Sequence, residues 1–460
     1  MKYRDLEEIL CVAKSTGADF SEIYLEDRTD TIIKDKNRSI QGATSLHIHG
    51  AGIYLLRGTD SVYVYTNDSS KQSLMELAHI AASLLPFAGG GKECGSITFS
   101  CQKNPRINPV EIYPQSVSTG EKVRVIKEIE RAAYSAGPAI LSLDVNYFDA
   151  SQSVTIANSE GLYTEDTRIS TKIRLNGGVT WGNKSCFDFF ELVSPQGFEI
   201  FRQRDSVGWA QSTIQQMENS LKVRPIKSCV VPVVFEAGDC GVFWHEACGH
   251  NLESGAAFGG IFAGKIGQEV ASRKITLIDD GSISSMNGSE AMDDEGHPTQ
   301  KNILIENGIL KGFLCDRKGG RMLRCGSTGS GRRQNYTFAP CSRMHNTYLA
   351  AGKDDEDEMI SSVDKGILVT RLGGGSSGEN FSIAVKEGFW IENGKITDRI
   401  GKFTLSGPSA QIIHRIDRVG KKVVPDFGGS FCGASSGLVP TTAYGPRFRV
   451  SEMSVGGTEQ

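Results

Sequence analysis

One short segment contains side chains whose types and spacing suit hydrolytic chemistry. In His245-Glu246-Ala247-Cys248-Gly249-His250, two of the eight histidines stand close together with a carboxylate beside the first. Neutral imidazoles bind zinc in proteins, and an adjacent carboxylate can take a proton from an attacking water. The segment therefore predicts a hydrolytic Zn2+ site, with His245 and His250 as ligands and Glu246 as general base.

The two histidines are spaced i and i+5, whereas the usual zinc-protease motif has i and i+4. At about 100° per residue, positions i and i+5 lie roughly 140° apart on a regular α-helix, so both rings would not face one ion. Either a π-bulge widens the turn, or the helix ends near Gly249 and His250 swings back. The remaining interpretation is a buried helix with two incidental histidines.

A catalytic zinc site needs a third protein ligand besides the two histidines, because three ligands and one open position are expected. Glu253 would share a face with His250 if the helix continues. Residue type and spacing alone leave several candidates open: Cys248, Glu253, His297, His345, His414 and a distant cysteine.

Two further motifs resemble binding sites but fit ordinary structure better. His47 and His49 lie two apart on a predicted strand and so share a face, yet no carboxylate or cysteine is near them in the sequence. Gly89-Gly90-Gly91-Lys92 lacks the rest of the phosphate-loop pattern and is expected to be a flexible connection. We therefore expect both motifs to be structural.

The composition is typical of a globular protein with no unusual charge. The 460 residues contain 50 Lys and Arg against 54 Asp and Glu, which gives a net charge of −4 and argues against nucleic acid or an anionic membrane as partner. No run of about 18 apolar residues predicts a membrane span, and the charged N-terminus lacks an apolar signal core. We expect a cytoplasmic protein whose eleven cysteines are reduced, packed thiols.

The elements predict an α+β fold with two domains, residues 1–222 and 223–460. In the first, apolar spacing predicts helices at 4–17, 70–85, 121–136 and 209–221, layered on antiparallel strands as an N-terminal α/β domain. After Val223-Arg224-Pro225, frequent Asn-Gly and Asp-Gly turns separate strand-like runs. The second domain is therefore predicted to be mainly antiparallel β and to carry the His-Glu helix.

Three local features of the second domain give sharper expectations. The apolar run 229–235 predicts a strand, and Pro232 within it favours a sheet edge. Asp239 is well placed to cap the helix that contains His245. The acidic run 354–358 is expected to occupy the first turn of a helix ending near Ser362, where negative charge is favourable.

The segment from His245 to Glu253 resembles the HExxxH segment of the TldD/PmbA metallopeptidases, on the TldD side. The resemblance covers nearly all of residues 225–460, and the agreement of several blocks in order makes it specific. These blocks are Asp279-Asp280-Gly281, Asp293 to Gln300, Ile303 to Gly312, Gly329 to Arg333, Arg343 to Tyr348, Gly373-Gly374-Gly375 and Cys432-Gly433.

The resemblance implies that Cys432 is the third zinc ligand, since the family has a cysteine followed by glycine at this position. A thiolate is a good zinc ligand, and the glycines around Cys432 would let a late loop approach the helix. It also implies a peptide substrate and a dimer, either a homodimer or a heterodimer with a related PmbA/TldE-like subunit that lacks the motif. Because His245, Glu246 and His250 are retained, the chain resembles the catalytic subunit. The alternative is a non-catalytic peptide-binding or assembly subunit.

Two sets of residues are candidates to bind the substrate. Arg332 and Arg333, in a glycine-rich loop, suit a carboxylate, although a surface pair would look the same. Gly373, Gly374 and Gly375 would let an extended peptide approach an exposed β edge. A plain turn would explain these glycines too. We predict a zinc-dependent peptidase that hydrolyses extended or unfolded peptides or small proteins.

Overall fold

The computed structural model describes residues 1–85, 94–137, 139–426 and 428–457. The glycine-rich segment at 89–92 lies outside them. The first half of the chain builds one seven-stranded sheet, in the order β3-β2-β1-β5-β6-β4 with β7 also paired to β6. Its strands are β1 (Phe20–Lys36), β2 (Ser39–Arg57), β3 (Asp60–Thr66), β4 (Ser100–Gln102), β5 (Ala139–Asn158), β6 (Leu162–Trp181) and β7 (Lys184–Ser194).

Helices pack against this sheet in two apolar clusters. Leu6 and Leu74 of the first two helices join residues of β1 and β2, while Ile126 and Ile214 of later helices join residues of β5 and β6. All four predicted helices of this half are present, together with one additional short helix. They are α1 (Tyr3–Ala13), α2 (Lys71–Leu84), α3 (Thr119–Ser135), α4 (Ile200–Gln203) and α5 (Ser206–Asn219).

The second half of the chain builds two six-stranded sheets around one shared apolar core. The strands are β8 (Cys229–Phe235), β9 (Leu277–Asp280), β10 (Lys301–Glu306), β11 (Ile309–Leu310), β12 (Gly331–Arg332), β13 (Cys341–Ser342), β14 (Asn346–Leu349), β15 (Lys365–Ser376), β16 (Asn380–Glu392), β17 (Lys395–Pro408), β18 (Ile416–Val419), β19 (Ser430–Ala434), β20 (Gly437–Tyr444) and β21 (Phe448–Gly456). The helices are α6 (Val242–Ala247), α7 (Arg317–Leu323), α8 (Glu356–Ser361) and α9 (Ser409–Ile412). Short 3-10 turns occupy Pro114–Ser116, Asp239–Gly241, Gly249–Leu252, Ser254–Ala256 and Ile413–Arg415.

One of these sheets closes on itself, and α6 packs against strands of both sheets. Its order is β17-β16-β15-β8-β21-β18, and an additional pairing of β17 with β21 makes a ring of five strands. The other runs β11-β10-β9-β14-β20-β19, while β12 and β13 pair separately. The α+β class is therefore confirmed, with helices layered on the first sheet and a mainly antiparallel second half. The division at residue 222 falls between α5 and β8 and stays a prediction.

Pro232 lies in a central strand, so the expected edge position is wrong. β8 pairs with β15 on one side and with β21 on the other. The pairing with β15 begins only at Val233, and the register with β21 shifts between Val450 and Met453, opposite Pro232. The proline is tolerated because it falls at a bulge, where its missing N–H breaks no ladder hydrogen bond.

Two cysteines also differ from the expectation. Cys11 of α1 and Cys94 are joined by a disulfide, while nine other cysteines are free thiols.

In the acidic run, Asp355 caps α8 by accepting hydrogen bonds from the backbone N–H groups of Asp357 and Glu358, which confirms the predicted helix start. Within the described ranges, no helix combines the length and apolarity needed to cross a membrane.

Candidate metal centre

The helix that carries His245 and Glu246 ends before it reaches His250. α6 ends at Ala247, and Cys248 leaves the helical region with φ −123° and ψ −49° before the 3-10 turn begins at Gly249. A Cβ added to Gly249 would lie 2.1 Å from Met344 Sδ, so the glycine lets the side chain of Met344 pack directly against this turn. The helix break predicted from the i+5 spacing is confirmed, and the π-bulge alternative is wrong.

Aromatic side chains directly before His245 anchor α6 in the core. The ring of Phe243 lies 5.0 Å from that of Phe235 and 5.1 Å from that of Phe448. Trp244 lies 5.0 Å from the same Phe448 ring, and both anchors are fully buried. Because such interlocking rings permit little movement, His245 is held at a fixed position at the end of the helix.

Asp239 does not cap α6, contrary to expectation. It begins the separate 3-10 turn that precedes α6, and Gly241 at the N-cap position of α6 makes no side-chain cap hydrogen bond. The side chain of Asp239 lines the cavity described below.

Three donor atoms meet where the end of α6, the following turn and β19 come together. Cys432 Sγ lies 3.1 Å from His245 Nε2 and 3.3 Å from His250 Nε2. The two imidazole rings are 4.7 Å apart between centroids and nearly perpendicular. We call His245, His250 and Cys432 the inner cluster, and its donor atoms all lie within 4.8 Å of one another.

Two side chains hold the inner cluster from behind. His250 Nδ1 lies 3.3 Å from Glu253 Oε2, an arrangement that directs the other ring nitrogen towards Cys432. Arg343 Nη2 donates to the backbone oxygen of Cys432 at 2.7 Å, and its Nε lies 3.6 Å from Glu253 Oε1. One chain of contacts therefore links both ends of the cluster, from Cys432 through Arg343 and Glu253 to His250.

The electrostatics of the inner cluster differ between its two histidines. Burial, with the charges of His250 and Arg343 adding to it, holds the pKa of His245 well below its usual value. Burial also opposes protonation of His250, but its hydrogen bonds with Cys432 and Glu253 outweigh this and raise its pKa to about 10. The surroundings thus favour a neutral imidazole at His245 and positive charge beside the Cys432 thiol.

A cavity of about 1130 Å³ opens in front of the inner cluster. Glu246 lines it together with all three donor residues, and the opposite wall includes Phe148 and Lys172 of the N-terminal sheet. Glu246 is half-buried, and burial raises the pKa of its carboxyl group. A Cβ added to Gly375 would lie 2.8 Å from Glu246 Cγ, so this glycine leaves the space that the carboxylate side chain occupies.

The donor set suits a zinc ion. With Zn–N of about 2.0 Å and Zn–S of about 2.3 Å, tetrahedral donor atoms lie roughly 3.5 Å apart. The separations of 3.1 Å and 3.3 Å from Cys432 Sγ are close to that value. Two imidazoles and a thiol are ligand types that zinc favours, and three protein ligands leave one position open.

The other third-ligand candidates lie elsewhere. Glu253 contacts the outer nitrogen of His250, and Cys248 is a buried thiol whose pKa burial raises to about 12. His345 is buried 3.6 Å from Asp279, His297 lies 3.4 Å from an Arg317 nitrogen, and His414 is exposed. In the described part of the chain, the only other group of three side chains that could hold a metal lies on β1 and β2.

Arg332 and Arg333 are buried, so the surface-pair interpretation is wrong. Arg332 lies 3.0 Å from Glu290 and donates to two backbone oxygens. Arg333 lies 2.8 Å from Glu22 of β1, across the two halves of the chain. Carboxylates are their partners, but these belong to the protein itself. Arg333 is nevertheless among the residues that line the cavity, and so are Gly373, Gly374 and Gly375, on β15 beside Glu246.

Sequence reasoning missed Arg343, the residue that joins Cys432 to Glu253. It lies 89 residues from Cys432, so no local spacing connects the two. The only sequence signal for Arg343 was its place in the block Arg343 to Tyr348, which resembles the family.

Comparison with known proteins finds similar sequences along nearly the whole chain. Residues 228–457 match the PmbA/TldA metallopeptidase C-terminal domain, 112–207 its central domain and 21–85 its domain 1. A "Metalloprotease TldD homolog" of Buchnera aphidicola is 30% identical over 96% of this chain and 93% of its own length. A "Metalloprotease" of Methanothermobacter thermautotrophicus is 30% identical over 94% of each chain.

Solved structures share the fold at lower sequence identity. TldE from Thermococcus kodakarensis superposes with a TM-score of 0.72 at 20% identity, covering 98% of this chain and 100% of its own. A Thermotoga maritima protein titled a putative modulator of a DNA gyrase gives a TM-score of 0.77 at 17% identity, covering 98% and 99%. Together with the matches along nearly the whole sequence, these comparisons show that the chain belongs to the PmbA/TldD metallopeptidase family.

Proposed function

We propose that this protein is a zinc-dependent peptidase that hydrolyses peptide bonds in extended or unfolded peptides and small proteins. One observation carries the proposal: two imidazoles and a thiol converge within 4.8 Å, beside a cavity that Glu246 also lines. The relatives named metalloproteases support a peptidase role at the level of the family. A relative in Saccharolobus solfataricus, 27% identical over 73% of this chain, is named a zinc metalloprotease.

In this proposal each polar residue of the centre has a distinct task. His245, His250 and Cys432 hold the metal, and Glu253 and Arg343 fix the orientation of these ligands. Zinc, when bound, polarises the scissile carbonyl and makes a water more acidic. A carboxylate oxygen of Glu246 takes a proton from the attacking water and later gives it to the nitrogen of the leaving amine.

An extended peptide has a suitable place to bind beside Glu246. β15 pairs with β16 as far as Ser376, but with β8 only through Ile367–Val369. The other edge of β15 from Arg371 onward is therefore unpaired among the described strands, and this stretch contains the cavity-lining glycines 373–375. A substrate strand added here would gain backbone hydrogen bonds whatever its side chains. Both halves of the chain enclose the cavity, which favours an unfolded substrate over a compact one.

The decisive test is Glu246→Gln in the full-length protein. We expect zinc content to persist while chelator-sensitive hydrolysis of an unfolded peptide falls by about 10²–10⁴-fold, because the proton acceptor is lost. Glu128→Gln, which changes an exposed glutamate of α3, serves as the matched control. Unchanged hydrolysis in Glu246→Gln would refute the assignment. A wild-type chain that binds zinc but cleaves nothing would favour the peptide-binding or assembly role.

The family also implies association with a second subunit. We propose a dimer, formed either by two copies of this chain or with a related TldE-like subunit. Native mass measurement of the purified chain, alone and after co-expression with such a subunit, distinguishes the two. A protein that stays monomeric in both preparations would contradict the proposal.

A further inference from the structure

A second group of metal-binding side chains lies on the N-terminal sheet. His47 Nε2 lies 3.1 Å from Asp27 Oδ1, and His49 Nδ1 lies 3.4 Å from Asp27 Oδ2. One donor atom from each of the three residues lies within 4.8 Å of the other two. We call Asp27, His47 and His49 the outer cluster.

Strand register places these three residues together. Asp27 of β1 is directly opposite His49 of β2, and Thr29 is opposite His47. Because side chains two apart on a strand share a face, the two imidazoles and the carboxylate project from the same side of the sheet. A carboxylate therefore does lie beside the two histidines, because Asp27 is distant in sequence but adjacent across the strands.

The second nitrogen of His49 has its own partner, as is usual for a metal-bound histidine. His49 Nε2 lies 2.7 Å from Ser69 Oγ, just before α2. If Nε2 carries the proton and donates it to Ser69, the lone pair of Nδ1 points towards Asp27. Histidines that bind metals typically donate their outer N–H to such an acceptor, which fixes the tautomer and the ring orientation.

The outer cluster is open to solvent. The side chains of His47, His49 and Asp27 are 62%, 42% and 57% exposed. A cation can therefore enter without any rearrangement of the core and retain water in its remaining positions. The edge of β2 beside the cluster is also free among the described strands, since β3 pairs with β2 only from Ala51 onward.

We propose that the outer cluster is a second metal site, which takes a divalent transition-metal cation such as Zn2+ through His47, His49 and Asp27. Two imidazoles with one carboxylate suit the borderline cations that imidazole prefers, rather than Mg²⁺ or Ca²⁺. A cation here joins β1 to β2 where no other described strand pairs with the outer edge of β2. The site is independent of the inner cluster and weaker, because it is exposed and has no thiolate.

The test counts bound Zn2+ on the chelator-stripped, full-length protein by equilibrium dialysis and elemental analysis. We expect the double variant His47→Asn/His49→Asn to bind one equivalent less than wild type. His79→Asn, which removes an exposed histidine of α2 outside the cluster, should bind as many as wild type. The expected loss of one equivalent does not depend on whether the inner cluster binds zinc.

A second measurement identifies which site is filled. In Co2+-loaded Cys432→Ala protein, we expect d–d bands without the thiolate charge-transfer band, and these should disappear when His47 and His49 are also replaced. Asp27→Asn should weaken Zn2+ binding without altering the fold, which circular dichroism checks. Equal Zn2+ binding by wild type and a folded His47→Asn/His49→Asn variant would overturn the proposal.

Discussion

The inner and outer clusters present similar donor atoms at similar separations but in opposite surroundings. Each has three donor atoms within 4.8 Å. The inner cluster joins Cys432 to histidines 182 and 187 positions away and is braced by buried Arg343 and half-buried Glu253. The outer cluster joins residues 20 to 22 positions apart on paired strands, and a single hydroxyl, that of Ser69, braces it.

Strand register alone can bring metal-binding side chains together, but a buried metal centre beside a cavity requires a packed core. Register alone brings Asp27 to the two histidines, but it leaves them in water, where electrostatic interactions are weak. The inner cluster depends on the aromatic anchors of α6, the break at Cys248 and a late strand. These elements place the donors beside a cavity with a carboxylate. The inner cluster therefore has the buried surroundings and the neighbouring carboxylate that the proposed hydrolysis requires, whereas we propose only cation binding for the outer cluster.

Removal of the thiol should distinguish the two clusters most strongly. In Cys432→Ala we expect complete loss of zinc from the inner cluster and of peptide hydrolysis, because two histidines do not hold a catalytic zinc. Elemental analysis in protein that also carries His47→Asn/His49→Asn, so that only the inner cluster is counted, and a peptidase assay measure both effects, with Cys101→Ala at an exposed free cysteine as control. Stoichiometric zinc at the inner cluster of Cys432→Ala would move the third ligand elsewhere, with Glu253 the first candidate.

A methyl group at Gly375 should disturb the carboxylate without disturbing the metal. The added Cβ would lie 2.8 Å from Glu246 Cγ and 2.9 Å from the backbone oxygen of Ser382 in β16. Because the Glu246 side chain moves more easily than a paired strand, Glu246 should shift, and a displacement near 1 Å can lower kcat by up to about 10²-fold. Zinc content should be unchanged. Gly374→Ala should lower kcat much less, because its Cβ meets nothing within 4 Å. Equal effects on kcat in the two variants would show that Gly375 does not position Glu246.

Replacement of the buried Arg343 should lower the metal affinity of the inner cluster. In Arg343→Met, Cys432 loses a hydrogen bond to its backbone oxygen, and Glu253 loses its cationic neighbour. Such supporting changes lower metal affinity by roughly 10–100-fold, which competition with a chelator measures. Arg415→Met, at an exposed ion pair with Glu452, is the control and should leave affinity unchanged. Wild-type affinity in Arg343→Met would mean that β19 holds Cys432 without help.

The sequence predicted local features better than distant contacts. The i+5 spacing predicted that the helix widens or ends between His245 and His250, and apolar periodicity located α1, α2, α3 and α5, because both follow from local backbone geometry. Cys432 came only from resemblance to a family, since its contact with the histidines spans more than 180 residues. Arg343 and Asp27 were missed for the same reason: their partners are set by pairing and packing. Pro232 misled because proline indicates a bulge as readily as an edge.

The smallest effect is expected at the outer cluster without metal. In the Cys432→Ala background, His49→Asn should change the free energy of unfolding by less than about 0.5 kcal/mol in chelator, as is usual for surface substitutions. With free Zn2+ at 100 times its dissociation constant, protein with an intact outer cluster should gain about 2.7 kcal/mol, whereas His49→Asn should gain much less. Urea unfolding with and without Zn2+ measures both differences. If Zn2+ stabilises Cys432→Ala and Cys432→Ala/His49→Asn equally, the outer cluster is not a metal site.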